Sequence, residues 1–135
     1  MNELLSNDIE RYLEADNSYL IDVRTPAEWQ FVGCPDLGSF KSKYVQIPIF
    51  EYPEMSFNND FQFQIKSIEN INKDSILLFI CRSGVRSRKA AEIAENLGYQ
   101  NIYNISDGFE GDVDEQCHRG NISGWKHSRL PWKQS

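Results

Sequence analysis

The sequence predicts an α/β domain with a mainly parallel central sheet flanked by helices. Three observations carry this expectation. Strand-length apolar segments alternate with amphipathic helical segments along the chain. The strongest of them, Ser75 to Ile80, is continuously apolar, the pattern of a strand buried on both faces of a parallel sheet. The length, 135 residues, is that of one domain with a core large enough to fold without staples. With no repeat or linker in view, a single domain is expected over residues 1–135.

Each element has a local reason. Asn7 to Ala15 is expected to be helical, with Ile9, Tyr12 and Leu13 on one face and Asn7 and Glu10 as a start signal. Tyr19 to Val23 reads as a short strand. Thr25-Pro26-Ala27-Glu28 follows it: Thr25 is a good N-cap, Pro26 suits the first helical position, and Glu28 completes a capping box. The helix continues through Trp29 to Val32 and breaks at Gly33 and Pro35. Cys34 to Lys43 is turn-like, Tyr44 to Ile49 strand-like, and Tyr52 to Asn59 irregular. Asp60 to Ile71 is expected to be a helix burying Phe61, Ile65, Ile68 and Ile71. After Ser75 to Ile80 comes a polar loop, Cys81 to Ser87. A helix follows from Arg88 to Leu97, with Ala90, Ala91, Ile93, Ala94 and Leu97 inward and Gly98 as its left-handed stop. Gln100 to Ile105 reads as a strand. The tail is rich in Gly, charge and Trp, with one helical stretch expected around Asp112 to His118. Trp125 and Trp132 are expected to cover core or sheet edge.

Composition narrows the function. Fourteen basic residues against twenty acidic ones give a net charge of −6. That argues against general binding of nucleic acid or anionic membrane, which needs a basic face. An anionic small substrate stays compatible, because one cationic loop focuses potential locally. No apolar run approaches the ~20 residues of a membrane span. Met1 to Glu10 carries acids where a signal peptide has Lys or Arg, so a cytoplasmic location is expected. The three cysteines, Cys34, Cys81 and Cys117, read as reduced thiols, and without a CxxC pair no metal site or other cofactor is expected.

Chemistry concentrates after the central strand, in Cys81-Arg82-Ser83-Gly84-Val85-Arg86-Ser87. Ligands of open α/β sheets bind beyond the carboxyl ends of strands. A loop curling around Cys81 turns its backbone N–H groups inward, and these dipoles with the helix N-terminus stabilise a thiolate and an anion attached to it. Arg82, Arg86 and Arg88 add positive charge, which favours a nucleophilic sulfur. Gly84 removes bulk where the backbone bends. A lone strand-ending cysteine is more often simply buried. Three arginines and a glycine before a helix reverse that preference.

These residues resemble the rhodanese (sulfurtransferase) domain family. Asp22-Val23-Arg24-Thr25-Pro26-Ala27-Glu28-Trp29 resembles its N-terminal signature, and Cys81 to Ser87 its active-site loop. Asp107-Gly108-Phe109-Glu110-Gly111, with Gly124-Trp125 and Leu130-Pro131-Trp132, resembles its C-terminal signature. The resemblance runs from about Asn7 to Trp132 and implies a rhodanese-like fold. It also implies a Cys81 persulfide that carries sulfane sulfur from thiosulfate or a similar donor to cyanide, a thiol or a protein acceptor. Arg82, Ser83, Gly84, Val85, Arg86 and Ser87 are then expected to bind substrate, with Asp22 and Arg24 as a buried pair bracing the loop end. One departure stands out: where the family has a Gly-His pair, this chain has Gly33-Cys34.

Two rivals remain at this level. A module delivering sulfur to, or regulating, a protein partner shares the fold, although noncatalytic modules usually lack the loop cysteine. A cysteine phosphatase or arsenate reductase also wraps a cysteine loop round an oxyanion. A phosphatase, however, places Arg six residues after Cys to clamp phosphate; here that residue is Ser87, and Arg86 comes one place early. His118 and His127 are expected to be surface or structural, and Cys34 an incidental loop thiol.

Overall fold

An unbroken apolar strand such as Ile76–Ile80 needs neighbours on both edges and cover on both faces. The computed structural model, which describes residues 1–134, supplies both. In chain order the elements are β1 (Asn2–Leu4), α1 (Glu10–Leu13), β2 (Ser18–Asp22), α2 (Pro26–Phe31), β3 (Cys34–Pro35), β4 (Lys43–Gln46), β5 (Phe50–Glu51) and β6 (Ser56–Phe57). Then come α3 (Phe61–Lys66), β7 (Ile76–Ile80), α4 (Val85–Asn96), β8 (Asn101–Ile105) and β9 (Trp132–Lys133). Five strands form a wholly parallel sheet in the order β1-β8-β7-β2-β4. Two short antiparallel pairs, β3 with β9 and β5 with β6, lie outside it.

The two-residue period of the strands sorts the core into two layers. Tyr19, Ile21, Leu77 and Phe79 face Phe61 and Ile65 of α3 and Ala90, Ala91 and Ala94 of α4. Leu20, Leu78, Ile80 and Ile105 face Ile9, Leu13, Phe109 and Trp125 on the other side. Trp125 is fully buried, whereas Trp132 is 39% exposed. Tail and N-terminal segment therefore replace a second large helix as cover for that face. Asp107 ties them together: its Oδ1 accepts from the Ser6 N–H and hydroxyl, and its Oδ2 from the Gly124 N–H.

Several elements differ from expectation. Asn7 does not cap the first helix. Ser6–Asp8 forms a 3-10 turn whose Ser6 is drawn to Asp107, and the α-helix is only Glu10–Leu13. Helix α3 stops at Lys66, and Asn70 reverses the chain at φ 66°. Helix α4 begins at Val85, three residues before Arg88, so Val85, Arg86 and Ser87 belong to its first turn. The stretch around Asp112 to His118 is not helical. Asp114 Oδ1 accepts from the Gln116 and His118 N–H groups and Cys117 sits at φ 63°, a local alternative to helical bonding. Strand β1 was not expected at all. Among the described residues, no helix is long and apolar enough to cross a membrane.

Candidate active site

Strand β7 delivers its chain to the carboxyl edge of the sheet, and Cys81 is the next residue, 1% exposed. The turn into α4 is made by Gly84 at φ 102°, where a Cβ would collide with the Ser106 carbonyl. Cys81 Sγ accepts a hydrogen bond from the Gly84 N–H at 3.1 Å and lies 3.2 Å from Ser87 Oγ.

The segment Asp107–Gly111 holds the loop from behind. The Cys81 carbonyl accepts from the Phe109 N–H at 2.8 Å, and the Arg82 carbonyl from Glu110 and Gly111 at 3.0 and 3.2 Å. The Gly84 carbonyl accepts from Asn104 Nδ2 at 3.1 Å. In a planar trans peptide the N–H opposes the C=O. The N–H groups of Arg82, Ser83 and Val85 are thereby directed away from these anchors. With the N-terminus of the twelve-residue α4 behind them, these dipoles make a cradle that suits a bound anion.

A polar chain runs inward from the sulfur. Ser87 donates its hydroxyl proton to Asn104 Oδ1, so its lone pairs face Cys81. Asn104 spends both amide hydrogens, on the Gly84 carbonyl and on Glu3 Oε1, and Glu3 also pairs with Arg88. Arg88 is thus engaged at the surface. It is absent from the cavity lining described next.

Cys81 opens onto a cavity of about 640 Å³. One wall is the loop itself, Cys81 to Ser83 with Val85 and Arg86. Glu28 and Val32 come from α2 and its end, Tyr52 and Met55 from the turn between β5 and β6, and Glu110 and Arg119 from the tail. Val85 is 72% exposed on the rim. Arg86 forms a two-pronged ion pair with Glu28, with Nη1–Oε1 and Nη2–Oε2 both 2.8 Å. Burial alone raises the Glu28 carboxyl, but the Arg86 fork and the Thr25 hydroxyl and N–H outweigh it and hold the group below the usual carboxylate range. Glu28 therefore has two duties. It closes the capping box of α2 with Thr25 and anchors Arg86 across the cavity wall.

Asp22 and Arg24 lie together at the end of β2, both fully buried, as an ion pair of 2.7 Å. Arg24 also donates to the Gly33 carbonyl and stacks 4.3 Å from the Phe109 ring. Tyr44 donates to Asp22 Oδ2 at 2.6 Å. Burial, and then the Asp22 charge, push the Tyr44 hydroxyl above its ordinary range, so it stays a donor. For Arg24, burial opposes the charge and Asp22 more than offsets it. Neither Asp22 nor Arg24 lines the cavity; they brace the β2–α2 corner beside it.

The structure thus brings Cys81, Arg82, Ser83, Val85 and Arg86 to one cavity, with Gly84 and Ser87 buried behind the sulfur. Sequence reasoning missed Glu28 as the partner of Arg86, having assigned it to capping only. It also missed Asn104, Tyr52, Met55 and Arg119. A glutamate in a capping box carries no sign of a partner 58 positions away. Cys34 lies apart from the cavity lining, its Sγ near Gln46 and the Trp29 carbonyl. Among the described residues no cluster of three or more metal-ligating side chains occurs.

Known proteins resemble this chain in sequence and fold. The family model described as the STR4 middle domain matches residues 5–135. The uncharacterized protein RC0915 of Rickettsia conorii is 43% identical over 118 residues, covering 87% of this chain and 85% of that protein. The mitochondrial thiosulfate sulfurtransferase RDL2 of Saccharomyces cerevisiae is 32% identical over 92 residues, 64% of this chain and 54% of that protein. The crystal structure of Rv0390 from M. tuberculosis superposes with a TM-score of 0.88 at 35% identity, covering 100% of this chain and 98% of that one. The parallel sheet, the loop after its central strand and these matches agree: the chain belongs to the STR4 middle domain family, a family of rhodanese-like domains.

Proposed function

We propose that this protein is a sulfurtransferase that carries sulfane sulfur on Cys81. The observation that supports this most is the placing of Cys81 Sγ between the Gly84 N–H and the start of α4, at the floor of a cavity lined by three arginines. In the first step the Cys81 thiolate attacks the outer sulfur of thiosulfate. A sulfur–sulfur bond forms to Cys81, the one in thiosulfate breaks, and sulfite leaves with the bonding pair. The terminal persulfide sulfur is left in the N–H cradle, where inward dipoles offset its charge. In the second step cyanide, a thiolate or a protein thiol attacks that terminal sulfur, and the Cys81 thiolate departs. No redox cofactor or metal enters the balance.

The relative named a thiosulfate sulfurtransferase supports this donor class. Phosphate transfer is disfavoured because the Arg86 fork is already filled by the Glu28 carboxylate. Turnover of thiosulfate and cyanide to sulfite and thiocyanate tests the reading. The wild type is expected to be active. Cys81→Ser is expected to be folded and inactive, and a Cys81→Ser variant that kept activity would overturn the proposal.

A further inference from the structure

The cavity wall carries five charged side chains: Glu28, Arg82, Arg86, Glu110 and Arg119. They are not equally available to a ligand. Glu28 and Arg86 neutralise each other at 2.8 Å through both prongs. Glu110 also lines the wall and forms no ion pair among the described residues. Arg82 and Arg119 have no carboxylate within ion-pair distance among the described residues. In a chain of net charge −6, these two guanidiniums outnumber the one unpaired carboxylate, Glu110, and keep the cavity wall locally positive.

Arg119 is held ready rather than free to wander. Its Nη1 donates to the Gly111 carbonyl at 2.6 Å, and the next residue, Gly120, donates its N–H to the Glu110 carbonyl at 2.8 Å. The loop that presents it is closed by Asp114, which bonds the His118 carbonyl through its N–H and the His118 N–H through its carboxylate. One nitrogen is anchored on the backbone, and the residue lines the cavity. That geometry lowers the entropic cost of gripping an anion.

We propose that Arg119, acting from the tail, is the specificity-determining cation of the cavity and selects doubly charged sulfur donors of the thiosulfate class. The proposal rests on the sulfur-transfer reading above. Arg119 contacts the leaving sulfonate end of the donor, while Cys81 attacks the outer sulfur. A donor with one charge gains less from it, and a neutral reagent gains nothing.

The test compares wild type, Arg119→Ala and Arg119→Lys with two probes that do not depend on each other. The first is alkylation of Cys81 by iodoacetate against neutral iodoacetamide. Arg119→Ala should lower the iodoacetate rate about tenfold, the low end of the scale of one charge-assisted hydrogen bond, and leave the iodoacetamide rate unchanged. Arg119→Lys should restore part of it, since charge is kept and the fork lost. The second is turnover: the thiosulfate KM should rise about tenfold in Arg119→Ala with kcat within about twofold, and the KM for singly charged benzenethiosulfonate should rise less. An unchanged iodoacetate-to-iodoacetamide ratio in a folded Arg119→Ala protein would overturn the assignment of Arg119. A reduced ratio in a protein whose wild type turns over no thiosulfate would support anion selection by Arg119 and overturn the sulfur-transfer reading instead.

Discussion

Replacing Arg86 by Ala should expose what that residue does, because the structure separates two roles. Arg86 and Glu28 are joined by two charge-assisted hydrogen bonds of 2.8 Å, with side chains only 18% and 16% exposed. Breaking a fully buried pair by removing one partner costs about 3–5 kcal/mol. Residual solvent reduces that to roughly 2–3 kcal/mol here, or about 6–12 °C in Tm for a domain of this size. Most of the loss comes from the stranded Glu28 carboxylate. Glu28→Gln with Arg86→Ala should therefore recover more than half of it, since Gln keeps an acceptor for the Thr25 cap. The pH dependence follows from the lowered Glu28 carboxyl. Its wild-type contribution is present above the unfolded carboxyl range and is lost as pH falls through the folded value. Without Arg86, only the Thr25 bonds still oppose burial, so the carboxyl rises from its wild-type position and protonation becomes easier. The deficit of Arg86→Ala against wild type should shrink as pH falls from about 7 to about 4. Thermal melts of wild type, Glu28→Gln, Arg86→Ala and the double variant across that range measure this. Kinetics add the functional half: the thiosulfate KM should rise in Arg86→Ala and return toward wild type in the double variant. A deficit constant with pH, or a double variant no more stable than the sum of its parts, would refute the reasoning.

Two further outcomes follow from the loop and its neighbours. Gly84→Ala forces a side chain into a left-handed turn against the Ser106 carbonyl; it should cost about 2–3 kcal/mol in denaturant melts and abolish turnover by displacing the N–H that meets Cys81 Sγ. Thr25→Ala removes the cap of α2 and one bond to Glu28; it should cost about 1 kcal/mol with Cys81 alkylation rates nearly unchanged.

What was legible in the sequence had local causes. The apolar run of β7, the Thr25–Glu28 capping box, the small inward face of α4 and the Gly98 stop each depend on residues within a few positions. The loop cysteine stood out for the same reason. What was missed depends on tertiary pairing. Strand β1 has no apolar pattern of its own and exists because β8 offers it an edge, with Asn2 opposite Tyr103 and Leu4 opposite Ile105. Around Asp112 to His118 the helical expectation failed because the Asp114 side chain captured N–H groups that a helix would have used. Arg86 was expected to face substrate by its charge alone. That its charge is met by Glu28 is decided by the packing of α2 against the start of α4, which no spacing along the chain reveals. Arg119 is the converse case, an arginine in an unpatterned tail that the fold returns to the cavity.

The central claim is tested most directly by where sulfur lands. Protein treated with thiosulfate, freed of excess donor and measured as intact mass, should gain one sulfur atom, and peptide mapping should place it on Cys81. The Cys34→Ser, Cys117→Ser double variant should load equally, because neither thiol lines the cavity. Cys81→Ser should load none, and cyanide should strip the sulfur and release thiocyanate. No mass gain in the wild type, or a sulfur found on Cys34 or Cys117 with Cys81 unmodified, would contradict the account.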